Sequence, residues 1–282
     1  MLAAVVERGD EVLLPDPGWP NYRMMLPWLG ARGVFYPCPP STGFQPDLDA
    51  LASLIGPRTK VLVVNSPNNP TGAVYPTATI AAMIDLAQRH NLWLLSDECY
   101  DQILLDGSWT SPASLMPDDP RIATVFTFSK TYAMTGWRLG YLVGSDELVD
   151  TATKVLESNS SCVSTITQVA AEAALVGPQD CVSEMVGAYR SRRDLVVAIL
   201  KDSELFIAEP AGAFYIMADV SPRGLPSREF AFELLRQRGV SVAPGTAFGQ
   251  VASDAVRISL ASSESDLEEG VGRLAKFVLG RT

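Results

Sequence analysis

Residues 127–138 read TFSKTYAMTGWR, and this stretch decides the fold because it joins a predicted strand to a polar, glycine-containing turn. The run 122–128, which leads into it, is mostly β-branched or aromatic, a composition that predicts a buried strand. Lys130 follows the end of that strand directly. A lysine in such a place loses hydration, which is unfavourable unless its amine takes part in chemistry.

The chemistry that suits such a lysine is imine formation with an aldehyde, because the imine removes the charge. Pyridoxal 5′-phosphate (PLP) is the cofactor that supplies an aldehyde of this kind. Ser129 and Arg138 would then hold the phosphate, Arg138 through a two-pronged contact. A Ser-Lys pair alone is common, so the prediction depends on the residues around it.

Strand-like and helix-like segments alternate through the first half of the chain. Strand-like runs that are apolar for most or all of their length, at 11–14, 61–64, 92–95 and 122–128, predict strands. Between the second and third runs, apolar residues recur at helical spacing, at positions 80, 83, 84 and 87. The alternation predicts an α/β fold with a mostly parallel sheet flanked by helices.

Polar side chains follow three of these predicted strands. Asn69 lies in the loop after the second run, Asp97 follows the third, and Lys130 follows the fourth. Ligands of open parallel sheets bind beyond the carboxyl ends of the strands. The three side chains are therefore expected to converge on one site.

The second half of the chain predicts a smaller C-terminal α+β domain. Helical patterns at 168–175, 182–200 and 227–238 accompany strand-like runs at 213–217 and 256–260. The long central helix would connect the two parts. We therefore predict a large domain over 1–184 and a small domain over 185–282.

Composition and charge exclude several functional classes. The 282 residues carry a net charge of −10, which disfavours nucleic-acid binding, and they contain no apolar run of membrane-spanning length. Four cysteines without close pairing are expected to be reduced thiols, and a single histidine leaves no His-rich metal site. The basic cluster at 190–193 is expected to be a solvated helix face. These features predict a soluble cytoplasmic protein without a bound metal.

Asp97, Asn69 and Tyr100 are candidates for contacts with the cofactor ring. A buried Asp97 needs a cationic partner, and a protonated pyridine nitrogen would provide one. Asn69 and Tyr100 could each hydrogen-bond the phenolic oxygen. The alternatives are a helix N-cap for Asp97, a turn residue for Asn69 and a packed aromatic with a satisfied hydroxyl for Tyr100.

Trp19 and Arg257 are candidates for the two remaining contacts. Trp19 follows a predicted strand and could stack on the ring, although a core tryptophan is the alternative. Arg257 lies in the strand-like run 256–260, and its planar fork matches the carboxylate of an amino acid. Its alternative is an edge-strand arginine that faces solvent.

The order of the motifs resembles that of the class I/II aminotransferases of PLP fold type I. The segments that carry the resemblance are DPGWPNY at 16–22, NSPNNPTG at 65–72, SDECY at 96–100, SKT at 129–131 with GWRLG at 136–140, GAFY at 212–215, and VRIS at 256–259. The resemblance extends over the whole chain. It also implies that the usual N-terminal arm, and a glycine-containing helix start that cradles the phosphate, are not part of this sequence.

The resemblance assigns a role to each candidate. It implies a Schiff-base lysine at Lys130, a partner for the pyridine nitrogen at Asp97, and contacts to the phenolic oxygen from Asn69 and Tyr100. The other implied roles are phosphate binding by Ser129, Arg138 and Thr127, ring stacking by Trp19, and binding of the substrate α-carboxylate by Arg257. It further implies a homodimer, with a loop at 158–161 near the partner.

Three functions are consistent with the sequence. The first is transfer of an amino group from an L-amino acid to a 2-oxo acid. The second is other PLP chemistry, a C–S lyase or a racemase, because the cofactor carries the bond-breaking chemistry in each case. The third is a catalytically impaired or ligand-sensing domain of aminotransferase type.

Overall fold

The structure is a computed structural model, and it describes residues 1–280. Its larger sheet has the order β2-β1-β3-β4-β5-β6, in which β1 to β5 are parallel and β6 is antiparallel to β5. The strands are β1 Glu11–Asp16, β2 Arg32–Pro37, β3 Thr59–Asn65, β4 Trp93–Asp97, β5 Ile122–Thr127 and β6 Gly140–Val143. The predicted mostly parallel sheet is confirmed.

Helices lie on both faces of this sheet and continue into the second half of the chain. They are α1 Leu2–Val5, α2 Pro20–Met25, α3 Leu48–Ser53, α4 Thr77–Arg89, α5 Pro112–Leu115, α6 Phe128–Thr131, α7 Asp146–Ser160, α8 Thr165–Val176, α9 Asp180–Asp202, α10 Ser227–Arg238 and α11 Glu264–Val278. The periodicity that predicted α4 is confirmed, because Ile80, Met83, Ile84 and Ala87 are all buried.

The central strand β3 is covered on both faces. Val61 and Val63 pack with one hydrophobic cluster, which includes Leu2 near the N-terminus. Leu62 and Val64 pack with another cluster, which includes residues of α4. This alternation explains why the strand reads as a continuous apolar run, since both of its faces are dry.

A smaller three-stranded sheet of order β7-β9-β8 forms in the second half, from β7 Tyr215–Asp219, β8 Ala243–Pro244 and β9 Ala255–Ser259. It packs with α9, α10 and α11 around its own hydrophobic cluster. The predicted strand at 213–217 begins two residues later than expected. The helix α9 joins the two parts, and the boundary at 184/185 within it stays a prediction.

Two expectations about helices were wrong. The basic cluster on α9 is only in part a solvated face. Arg190 is exposed, but Arg193 is 4% exposed and its guanidinium contacts Asp106 and the carbonyl of Pro210. Residues 158–160 lie in the last turn of α7 and not in a loop. In both places a tertiary contact or a longer helix overrode a local pattern of polar residues.

No helix within residues 1–280 is long and apolar enough to cross a membrane. The cysteines at 38, 99, 162 and 181 are free thiols, as expected. Over the same described range, no group of three or more histidine, cysteine, aspartate or glutamate side chains is placed to hold a metal ion.

Candidate active site

The carboxyl ends of β3, β4 and β5 open into one cavity of about 490 Å³, within the range typical of small-molecule sites. Parallel pairing aligns these ends, because Asn65 pairs with Asp97 and Asp97 pairs with Val125. All nine candidates from the sequence line this cavity: Trp19, Asn69, Asp97, Tyr100, Thr127, Ser129, Lys130, Arg138 and Arg257. The convergence expected at the strand ends is therefore observed.

Asp97 is the buried anion of the cavity. Its side chain is 6% exposed, and burial raises the pKa of its carboxyl above the ordinary value, while hydrogen bonds from Tyr22 and Cys99 oppose the rise. The Tyr22 hydroxyl donates to Asp97 Oδ2 at 2.7 Å. The chain continues from β4 into a turn, so the N-cap alternative is wrong. Within residues 1–280 the carboxylate has no ion-pair partner.

Tyr22 is a residue that the sequence did not single out, and its removal has a predictable effect. The variant Tyr22→Phe leaves the buried Oδ2 of Asp97 without its donor, so the free energy of unfolding at pH 8 is expected to fall by about 1–3 kcal/mol. The loss should shrink at acidic pH, where Asp97 is protonated in the folded chain. Urea unfolding without PLP measures both values.

Tyr132→Phe is the matched control for Tyr22→Phe, because the hydroxyl of Tyr132 donates to Gln179 on the surface. Equal losses in the two variants would contradict the prediction.

Lys130 lies in the single turn α6, directly after β5. Its side chain is half-buried, and Nζ lies 5.8 Å from the centroid of the Phe214 ring. It forms no ion pair with a carboxylate of the described residues. The Thr127 side chain caps α6 by accepting from the Ser129 amide at 3.1 Å. This cap fixes the direction in which the lysine leaves the strand.

The predicted phosphate residues lie at the same end of the cavity as α6. Thr127 Oγ1 donates to the carbonyl of Leu139 at 3.2 Å, so a phosphate contact from this hydroxyl requires that bond to be given up. Ser129 is buried beside it. Arg138 is exposed, has a φ of 56°, and donates to the carbonyl of Thr135 at 2.9 Å.

Arg257 enters the cavity from the small sheet. It lies on β9, the middle strand, so the alternative of a solvent-facing edge residue is wrong. Its guanidinium carbon lies 4.2 Å from the centroid of the Tyr215 ring and 4.7 Å from that of Phe248. Nη1 donates to Asn69 Oδ1 at 2.8 Å, while the buried Nε has no hydrogen-bond partner. Burial lowers the pKa of this guanidinium, so an anion is needed beside it.

Asn65 connects two of the candidates and was not given a role from sequence. Its side-chain nitrogen donates to the carbonyl of Asp97 at 3.2 Å, and its side-chain oxygen accepts from the Asn69 amide at 3.1 Å. The signal available in the sequence was its position as the last residue of a buried strand. Asn69 is therefore a turn residue whose side chain also reaches Arg257.

The two aromatic candidates differ in burial. Tyr100 is 2% exposed, and its hydroxyl donates to that of Tyr215 at 3.3 Å, so it is a satisfied packed aromatic that also lines the cavity. Trp19 is 37% exposed and meets Tyr22 edge to face at 5.4 Å, so it is not a core tryptophan. Its indole also lines the cavity.

Comparison with known proteins identifies the family. The sequence model of aminotransferase class I and II matches residues 1–274. An aspartate/prephenate aminotransferase from Thermus thermophilus is 40% identical over 284 residues, 100% of this chain and 72% of the relative. An arginine–pyruvate transaminase from Pseudomonas aeruginosa is 39% identical over 280 residues, 98% of this chain and 70% of the relative.

Solved structures agree with this match. An aromatic aminotransferase from Pyrococcus horikoshii superposes with a TM-score of 0.96 at 35% identity, covering 99% of this chain and 76% of that one. A double mutant of Thermus thermophilus aspartate aminotransferase superposes with a TM-score of 0.93 at 39% identity, covering 98% and 72%. The chain belongs to the class I and II aminotransferase family, whose members are generally PLP-dependent. It is an enzyme of transaminase type with the large-domain fold of PLP fold type I.

Proposed function

We propose that the cavity binds PLP and that Lys130 is the residue to which the cofactor is attached. The observation that carries the proposal is the buried carboxylate of Asp97, which shares the cavity with Lys130 and has no cation beside it within residues 1–280. A protonated pyridine nitrogen is the cation that such a carboxylate requires. The unpartnered Nε of Arg257 at the other side of the cavity calls for an anion.

The residues that line the cavity are suited to bind the ring nitrogen, the phenolic oxygen and the phosphate of PLP. Bound PLP supplies an electron-withdrawing ring that stabilises negative charge at the substrate Cα. Asp97 would keep the ring nitrogen protonated, and Trp19 would stack on the ring. Asn69 would donate to the phenolic oxygen, and so would Tyr100 once its hydroxyl gives up the bond to Tyr215. Ser129 and Arg138, with Thr127, would hold the phosphate.

Lys130 and Arg257 act on the substrate. Arg257 binds the α-carboxylate through its fork, and its contact with Asn69 orients it. The neutral amine of Lys130 would carry the proton that leaves the substrate Cα, and the bound cofactor would supply the electron sink. The rings of Tyr215 and Phe248 both lie against the guanidinium and restrict its position.

The substrates we propose are an L-amino acid as donor and a 2-oxo acid as acceptor. The named relatives act on aspartate, prephenate, arginine and pyruvate, so these compounds are the first to test. A C–S lyase or racemase is not favoured by the relatives, which are named aminotransferases. A homodimer and a cytoplasmic location stay predictions.

Transfer of nitrogen tests the proposal. The PLP-loaded chain, given ¹⁵N-labelled L-aspartate or L-arginine with pyruvate, is expected to produce ¹⁵N-alanine in equal amount to the 2-oxo acid formed from the donor. Mass spectrometry measures both products. Release of labelled ammonia in place of ¹⁵N-alanine would contradict transamination, and inversion of the donor without transfer would indicate a racemase; either result overturns the proposal.

A further inference from the structure

Asp16 makes an unusual contact between distant parts of the chain. It ends β1 and is 7% exposed. Its Oδ2 accepts from the amide of Gln250 at 3.0 Å and its Oδ1 from the amide of Val251 at 3.2 Å, across 234 and 235 positions of sequence. A buried carboxylate requires donors of this kind, and bonds from amides to an ionised oxygen are stronger than neutral ones. We call this contact the Asp16 clasp.

The clasp lies between two residues of the proposed site. On one side, Asp16 begins the loop 16–19, which ends at Trp19. On the other side, the segment 248–251 begins with Phe248, whose ring lies 4.7 Å from the guanidinium of Arg257. The Gly18 amide also donates to the carbonyl of Phe248 at 2.9 Å. The loop that carries Trp19 and the segment that packs against Arg257 are therefore one hydrogen-bonded unit.

Gly249 shows how closely the two segments approach. Its φ is 154°, and a Cβ built on it would overlap Asp16 Oδ1. Only glycine allows the carboxylate to reach the two amides that follow. The contact is therefore built from both sides, by an acidic residue in the large part and a glycine in the small part.

We infer that Asp16 is a positioning residue for the reaction: through the clasp it fixes Trp19 and Arg257 relative to each other. The inference rests on the proposed function, in which Trp19 meets the ring and Arg257 meets the α-carboxylate. Most residues of one hydrophobic cluster lie before residue 185 and those of another lie after it, so the fold is not expected to depend on the clasp. Removal of the clasp is therefore expected to weaken substrate binding, because that step needs both residues together.

The clasp is tested first without PLP. In Asp16→Ala, exchange of the Gln250 and Val251 amide hydrogens is expected to accelerate about tenfold. Asp10→Ala is the matched control, because Asp10 also accepts a backbone amide, that of Glu7 at 2.8 Å, but on the surface. Unchanged exchange at Gln250 and Val251 in Asp16→Ala would overturn the inference.

A double-mutant cycle tests the contact from its other side. Gly249→Ala is expected to lower the urea midpoint by displacing the carboxylate and by straining the backbone. In the Asp16→Ala background only the strain remains, so the same substitution should lower the midpoint less. Equal shifts in both backgrounds would show that the carboxylate and Gly249 are not coupled and would overturn the inference.

Kinetics decide the positioning role. With the PLP-loaded chain and L-aspartate, L-arginine or L-phenylalanine as donor, Asp16→Ala is expected to raise KM about tenfold and to change kcat by less than about threefold. Asp16→Asn, which keeps one acceptor oxygen, should lie between Asp16→Ala and the wild type. A KM at the wild-type value in Asp16→Ala overturns the inference. A wild-type chain that converts none of the three donors contradicts the proposed function instead, and the clasp is then judged on amide exchange and the cycle.

Discussion

Replacement of Lys130 by alanine is expected to abolish the covalent attachment of PLP and to lower the rate of transamination by about a thousandfold or more, because a positioned proton carrier contributes 10²- to 10⁴-fold. The wild-type chain with PLP should show a visible absorbance band that the variant lacks. Reduction with borohydride before proteolysis should add the mass of reduced PLP to the peptide that contains Lys130. The reason is structural: Lys130 is the lysine that lines the cavity beside Asp97.

Lys154→Ala is the control for this experiment. Lys154 is exposed on α7 and lies outside the cavity, so the absorbance band and the rate should stay at the wild-type values. A Lys130→Ala chain that keeps the band, with the mass label on another lysine, would contradict the proposed attachment. A folded variant is required, so the urea midpoint is measured alongside.

The sequence predicted the ends of the strands well because these are local. A buried apolar run identifies a strand in a parallel sheet, and the next polar residue then lies at its carboxyl end. That reasoning placed Asn69, Asp97 and Lys130 in one cavity before any distance was known. Arg257 was harder to place, since a strand residue can face either way, and its predicted role came from the resemblance to a family.

The contacts that hold these residues in place could not be predicted. Tyr22 reaches Asp97 across 75 positions, and Asp16 reaches Val251 across 235. Such pairs leave no periodic signal, because each residue alone fits its own segment. For Arg193 the local pattern gave a wrong prediction. A charged residue on a helix is expected to face solvent, and only the folded chain brings the carbonyl of Pro210 next to it. Local pattern therefore located the candidate site residues, while the contacts that support them became visible only in the tertiary structure.

The supports have a common physical logic. Asp97 takes a hydroxyl hydrogen bond from Tyr22, Asp16 takes two amides, and Glu98 takes the hydroxyls of Ser96 and Ser111. Each carboxylate is buried and held by neutral donors. Neutral donors orient a carboxylate without cancelling its charge, so at Asp97 the charge remains available to a cationic ligand.

A buried and ionised Asp97 lowers the free energy of unfolding, and this effect should be visible as a dependence of stability on pH. Its folded pKa lies above the ordinary value of 3.8, mainly because of burial. Between these two values the folded chain binds more protons than the unfolded chain, so the free energy of unfolding falls as pH rises through this window. Above the window the loss persists. The contribution of Asp97 should therefore make the PLP-free chain less stable at pH 8 than at a pH below this window.

Asp97→Asn is expected to raise the stability of the PLP-free chain at pH 8 by about 1–2 kcal/mol while lowering the transamination rate by about a hundredfold or more. Asparagine keeps an oxygen that can accept from Tyr22, but it has no buried charge and cannot pair with a protonated ring nitrogen. Urea unfolding from pH 4 to pH 8 should show a smaller decline with pH in the variant, and the part that Glu98 contributes should remain, because burial raises the pKa of that carboxyl too. Asp118→Asn, the same change at an exposed position, should alter neither property. An Asp97→Asn chain that is less stable at pH 8 would contradict the argument on stability, and one that keeps the wild-type rate would show that the carboxylate is not the partner of the cofactor ring.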